Sequence, residues 1–395
     1  MIRFIFLCSI SLLLSGELLL AQQRDTTVVT KVEGHIFKPK LSKSAGVQDL
    51  KVPEGFRIQK FAEGLEKPRM MVATEDGTIY VTRRQGDVRM LKDTNQDGIA
   101  DVNKSVLTLD QVHGIALKDN ELFLVTVNEV YKTAIQKDGS LGKPKLLMKG
   151  LPDGGQHPNR TIEFGPDGKM YISVGSTCNA CDETSKESAT LLVADASGKK
   201  REIFAKGLRN TIGFDWHPGT NMFYGIDHGI DWLGDTTQKE ELNLLEKGNN
   251  YGWPYVFEEG KPNPADQPPN GMSYEEYASK STGSVFTLPA HSAPLDMMFY
   301  DKNQFPEAYR NQAIVTLHGS WNRSDPSGYK VVMIKFDEQG KPLGYEDFVS
   351  GFLVNNDQEY IARVCGLAIS GDGSLFISDD AGGAIYKVSY QNRGK

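Results

Sequence analysis

Between Thr161 and Val174 the apolar residues Ile162, Phe164, Met170, Ile172 and Val174 alternate with other positions on either side of Gly165-Pro166-Asp167-Gly168. Side chains two apart share a face of a strand, so the pattern predicts two short strands joined by a turn, a β-hairpin. The same phrase of strand, turn and return strand recurs, with copies opening at Arg69, His113, Arg160, Asn210, Leu295 and Arg363. Units of this kind repeating about every 45 residues predict an all-β chain, a six-bladed β-propeller of four-stranded antiparallel blades over residues 52–395. Spacing is widest between Asn210 and Leu295, which predicts long loops inserted into a common scaffold. A pair of β-sandwiches is the alternative, and it leaves the recurrence unexplained.

Ahead of the repeats, Arg3 precedes an apolar run from Phe4 to Ala21 and then the polar Gln22-Gln23-Arg24-Asp25. This order predicts a secretory signal peptide over 1–21, a retained anchor being the alternative, and 22–51 reads as an extended lead-in. No other segment is apolar enough for a stable membrane span. Export places the chain in the periplasm or outside the cell, an oxidising setting in which Cys178 and Cys181 are expected to form a disulfide. No second Cys/His pair offers zinc spacing, no His follows Cys181 as haem attachment requires, and Cys365 is left as a buried thiol. Lys and Arg number 44 against 51 Asp and Glu, and this net charge of -7 supplies no basic surface for nucleic acid.

In a propeller, residues at the start of each inner strand meet at one mouth although they are far apart in sequence. Here they are Arg69, His113, His157 with Arg160, Arg209 with Asn210, and Arg363, a cationic ring on an acidic chain. Such a ring suits a small polyanion, because guanidinium groups fork onto carboxylates. A histidine held neutral among arginines is a candidate general base. Taken singly, an Arg beside a turn is more often a solvated or capping residue and a lone His more often structural; it is their coincidence at repeat-equivalent positions that points to a site. Separately, Asp93, Asn95, Asp97, Gly98, Ile99 and Asp101 have the alternation of a calcium loop, with Lys104 where the bidentate Glu would stand. Calcium there would stiffen a connecting loop away from the chemistry; a solvated turn is the alternative.

Three phrases carry a family resemblance: Gln156-His157-Pro158-Asn159-Arg160, Gly207-Leu208-Arg209-Asn210, and above all Gly248-Asn249-Asn250-Tyr251-Gly252-Trp253-Pro254 after Glu241-Leu242-Asn243-Leu244-Leu245. With them, Val52 to Tyr390 resembles the glucose/sorbosone dehydrogenases, six-bladed sugar dehydrogenases that depend on pyrroloquinoline quinone (PQQ). The resemblance implies PQQ and calcium as cofactors, a small sugar as substrate and an external electron acceptor, in a monomer or homodimer. It implies His157 as the base, Arg209 and Asn210 at the quinone oxygens, the carbonyls of Gly229 and Ile230 on calcium, and Arg363 on the cofactor carboxylates. Arg160 is expected to add a further cation. The family's lysine late in the fifth repeat is replaced here by His318 or Arg323. Other departures are Ser176 for the acid that orients the base, Ile230 for a proline and Arg83 for a glutamate. They point to the sorbosone or aldose-sugar branch. Trp232, Trp253 and Tyr274 are candidates to stack on a sugar, and Trp321 is the better one. Two other classes stay open: a calcium-dependent lactonase-type propeller, and a propeller that binds glycan or protein without catalysis.

Overall fold

The computed structural model describes residues 36–391. The expected signal peptide lies outside them. Among the described residues six four-stranded antiparallel sheets succeed one another, with first strands Pro68–Ala73, Gly114–Lys118, Ile162–Phe164, Thr211–Trp216, Pro294–Phe299 and Val364–Ile369. Each belongs to one of the six sequence repeats, and the arrangement is that of a propeller-type all-β fold. The strand from Pro68 packs on those from Gly114 and from Val364, so the first sheet lies between the second and the sixth.

The sixth sheet is built from both regions of the chain. Phe56–Ala62 pairs antiparallel with Ala384–Tyr390, which continues through Leu375–Asp379 to Val364–Ile369. In the fourth sheet the outer strand Phe286–Leu288 arrives only after an insertion that holds the hairpin Val256–Phe257 with Lys261–Pro262 and the short helix Tyr274–Ala278. The lead-in is docked: Lys40–Leu41 runs parallel to Glu359–Tyr360, and Lys51 bridges Ser350.

First strands approach one another too closely for side chains at some positions. A Cβ at Gly366 would lie 2.3 Å from the Arg69 carbonyl oxygen, and one at Gly213 would lie 2.5 Å from the Met297 nitrogen. Glycine is what lets the backbones pack there. Between sheets the gaps are filled with aromatic and branched side chains, among them Tyr224, Phe299 and Phe336 between the fourth and fifth sheets. No helix of the described residues is long and apolar enough to cross a membrane.

Two cavities lie among the first strands. One of about 340 Å³ is lined by their later residues and holds Glu163, Asp215, Asp296 and Asp301 with Lys302. The other sits at their beginnings.

Candidate active site

The second cavity, about 310 Å³, falls in the size range of small-molecule sites. It is lined by residues that start the first strands or the loops entering them: Arg69, His157, Arg209 and Arg363, joined by Arg84, His228, His318 and Trp321. Arg84 comes from the turn after the second strand of the first sheet, a position that the repeat pattern does not mark.

His157 is fixed through one ring nitrogen. Its Nδ1 lies 2.9 Å from both the Ser176 carbonyl oxygen and the Ser176 hydroxyl oxygen, and that hydroxyl in turn donates to the Cys178 carbonyl at 2.6 Å. A carbonyl can only accept, and the hydroxyl hydrogen is already engaged, so Nδ1 carries the proton and Nε2 keeps its lone pair. Ser176 therefore orients the imidazole through oxygens rather than through a carboxylate. Burial, then the positive charge of Arg209 and the neighbouring His228, hold the ring's pKa well below its ordinary value, so it is neutral at pH 7. Gly175 lets it sit there: an added Cβ would be 2.6 Å from His157 Cβ and 2.8 Å from Asn210 Oδ1. Asn210 thus neighbours His157, although it is not among the residues lining the cavity.

Arg209 is held by a loop rather than by solvent. Its Nε donates to the Asn179 carbonyl (2.8 Å), and one terminal nitrogen donates to Asn179 Oδ1 (2.7 Å) and Asp231 Oδ2 (3.0 Å). Arg363 donates to the carbonyls of His318 and Gly319 and lies over the Tyr329 ring; among the described residues no ion pair ties it to a carboxylate. Arg69 reaches Asp380 at 2.7 Å, and His318 Nε2 meets the other oxygen of that carboxylate at 2.9 Å. Burial alone would raise the Asp380 carboxyl, but His318 and Arg69 hold it well below the usual range. Burial pushes His318 and His228 down to about 4 and raises the lining Glu240 to about 8, so near neutrality these three carry little charge. Four arginines then face the cavity against Asp231 and Asp380.

Several expected residues lie elsewhere. Arg160 is fully buried and turned away, its guanidinium donating to the carbonyls of Val127, Pro152 and His157; it is a strut under the site and does not line the cavity. Arg323 faces the carbonyls of Asp235, Ala290 and Asp325, also off the cavity, so of the two residues expected in place of a lysine only His318 lines it. His113 lies behind Arg69, with Nδ1 2.9 Å from the Arg160 carbonyl, and burial pushes it down to about 3. Trp253 is buried and Tyr274 bonds the Asp266 carbonyl, whereas Trp321 lines the cavity edge-on to Trp232 and beneath Lys38 of the lead-in. Arg83, expected to depart from a glutamate of the family, pairs with Asp87.

The expected metal positions differ in kind. Gly229 lines the cavity and Ile230 packs beneath it; their amides donate to Glu240 and Gln238, while no donor among the described residues engages their carbonyl oxygens. In the loop from Asp93 to Asp101 the carboxylates do not converge on a common point. Asp93 accepts from the amides of Gln96 and Gly98, Asp97 from that of Ile99, and Asp101 from Thr94, so the alternating acids build tight turns. The expected disulfide between Cys178 and Cys181 is formed, and Cys365 is a buried free thiol 3.3 Å from Arg69.

The residues present fit an anionic, oxygen-rich ligand. Among the described residues Arg363 and Arg84 have no carboxylate partner, and Asn322 Oδ1, on the cavity wall, is buried with no donor. Sequence reasoning missed Arg84 and Asn179; Asp231 and Glu240 fall in the stretch 231–247, which reads from the sequence as part of a substrate mouth.

Residues 50–391 match the family model described as TrAA12-like. An uncharacterized protein of Borreliella burgdorferi is 34% identical over 360 residues, covering 87% of this chain and 91% of that protein. The pyrroloquinoline quinone-dependent pyranose dehydrogenase of Coprinopsis cinerea is 24% identical over 404 residues; the match takes in 86% of this chain but only 54% of that enzyme. The calcium structure of the Trichoderma reesei carbohydrate-active enzyme of family AA12 superposes with a TM-score of 0.75 at 19% identity, over 87% of this chain and 97% of the other, a likeness of fold.

Proposed function

The chain belongs to the TrAA12-like family, and we propose from this that it is an oxidoreductase which uses PQQ and calcium to oxidise the hydroxyl or hydrated aldehyde of a small sugar, passing the electrons to an external acceptor. The observation that carries the reading is the state of His157: neutral, with its proton fixed on Nδ1 and its Nε2 lone pair available, on the wall of a cavity ringed by arginines.

On this reading His157 Nε2 removes the proton from the sugar hydroxyl, and its low pKa keeps it free to do so at neutral pH. PQQ, when bound, supplies a quinone that takes up hydride from the carbon bearing that hydroxyl. Arg363 and Arg84 would hold the cofactor carboxylates by charge-assisted hydrogen bonds. Arg209 and Asn210 would stand at its quinone oxygens, where a fixed cation favours developing negative charge. The carbonyls of Gly229 and Ile230 would supply hard oxygen ligands to calcium. Trp321 offers an apolar face to a sugar ring. We read the six sheets as the six blades of a closed propeller within 52–395, exported to the periplasm or beyond.

A lactonase-type site would centre its metal on free carboxylates, whereas Asp231 and Asp380 are already paired with Arg209 and Arg69. The test is a titration of the purified chain with PQQ and calcium followed by absorbance, then dye reduction with a panel of aldoses. Saturable binding and sugar-dependent reduction are expected. Binding without reduction by any sugar would reduce the chain to a binding scaffold, and no binding at all would overturn the reading.

A further inference from the structure

We propose that the small ring closed by the Cys178–Cys181 disulfide is the positioning element of the active site, setting at once the tautomer of His157 and the direction of Arg209. The proposal rests on the oxidoreductase reading for its consequence, though not for its geometry.

Two residues of this ring reach out, Cys178 toward the histidine and Asn179 toward the arginine. The Cys178 carbonyl accepts the Ser176 hydroxyl at 2.6 Å. That contact keeps the hydroxyl from donating to His157 Nδ1 and so from competing with the Ser176 carbonyl, which can only accept; together they leave Nδ1 as donor and Nε2 with its lone pair. Asn179, the next residue, meets Arg209 twice, through its carbonyl at 2.8 Å and its Oδ1 at 2.7 Å. The same Oδ1 accepts the Asp231 amide at 2.9 Å, and Asn179 Nδ2 donates to the Asp231 carbonyl at 3.1 Å, so the residue that also pairs with Arg209 is pinned from the same point.

The indole of Trp253 completes the clamp by donating to the Asn179 carbonyl at 3.2 Å. Trp253 closes the sequence phrase Gly248-Asn249-Asn250-Tyr251-Gly252-Trp253, and through this bond the phrase buttresses the ring from below. The disulfide ties the residues on either side of Asn179 and Ala180, so the Cys178 and Asn179 carbonyls cannot rotate independently toward solvent. Neither Asn179 nor Cys178 lines the cavity; they are positioning residues acting through Arg209 and Ser176.

The test compares the wild-type chain with a Cys178→Ala, Cys181→Ala double variant and with Asn179→Ala and Asn179→Asp. The first readout needs no cofactor: the ring-nitrogen resonances of ¹⁵N-histidine-labelled apo protein, with His157 identified by their loss in His157→Gln. Wild type is expected to show the Nδ1–H tautomer alone and the double variant a mixture. The second readout is PQQ affinity by absorbance. Asn179→Ala is expected to weaken it about tenfold or more, and Asn179→Asp to regain most of the loss because a carboxylate still accepts from Arg209. An unchanged tautomer in the folded double variant overturns the proposal, as does Asn179→Asp being no better than Asn179→Ala. Should the double variant not fold, the Asn179 pair decides. Should wild type bind no PQQ, the functional reading falls and the tautomer alone decides.

Discussion

His157 and Arg160 stand three apart and look alike in sequence as site groups, yet the structure gives them different roles. Repeat equivalence fixes where a Cα arrives and does not fix where a long side chain points. Arg160 meets three backbone carbonyls under the site, and burial lowers its pKa to about 10, so it acts as internal scaffolding. Replacing it with Met is expected to lower the thermal midpoint by several degrees, measured by calorimetry, because the carbonyls it satisfies are left buried without donors. His157→Gln is expected to reduce turnover about a hundredfold or more with the PQQ titration nearly unchanged; retained turnover removes His157 from the base role. Arg363→Ala should show the opposite split, weaker PQQ uptake with turnover at saturation less affected, and an unaltered titration dismisses its role. His157, Arg209 and Arg363 were legible because strand starts recur, and His318 only through the family resemblance. Arg84 and Asn179 were not legible, because neither stands at a strand start that the repeats mark, and Asp231 and Glu240 were legible only as members of a stretch expected to border the mouth.

At the scale of elements, the strand and turn pattern was readable because each hairpin carries its own alternation, whereas the spacing of the calcium-like loop admits two readings. Its spacing suits a metal, but the same spacing suits acids that fold back on their own amides, and only the direction of the oxygens separates the two. The first strands also carry a pH response. Burial raises Glu163 to about 8 and Asp215 and Asp296 to about 7, in the cavity away from the proposed site. Because these acids titrate higher folded than unfolded, their contribution to stability is full below about pH 4 and is lost as pH rises through 7 to 8. Denaturant midpoints should therefore fall as pH is raised from about 6 to about 9. Glu163→Gln, which retains an acceptor for the Phe164 amide, should flatten that fall; an unchanged slope would show that Glu163 is not its source. Gly366→Ala should destabilise the chain outright, since its Cβ would press on the Arg69 carbonyl.

For the whole molecule, the sixth sheet decides integrity. Without Phe56–Ala62, the strand Ala384–Tyr390 becomes a bare edge, open to pairing with another copy. A chain cut after Ala62 is expected to lose its sharp melting transition and to scatter light at micromolar concentration; a monomeric product with a wild-type transition would mean that this strand is dispensable. The pair formed by Arg69 and Asp380 spans 311 positions of sequence. A ribosome making this protein finishes one half of that pair long before the other, and Phe56–Ala62 has to wait for its partner until nearly every other strand has emerged. In an unfinished chain the arginine that arrives early has no carboxylate to hold it, and the pocket lacks the walls that Arg363 and Asp380 supply until the final moments of synthesis.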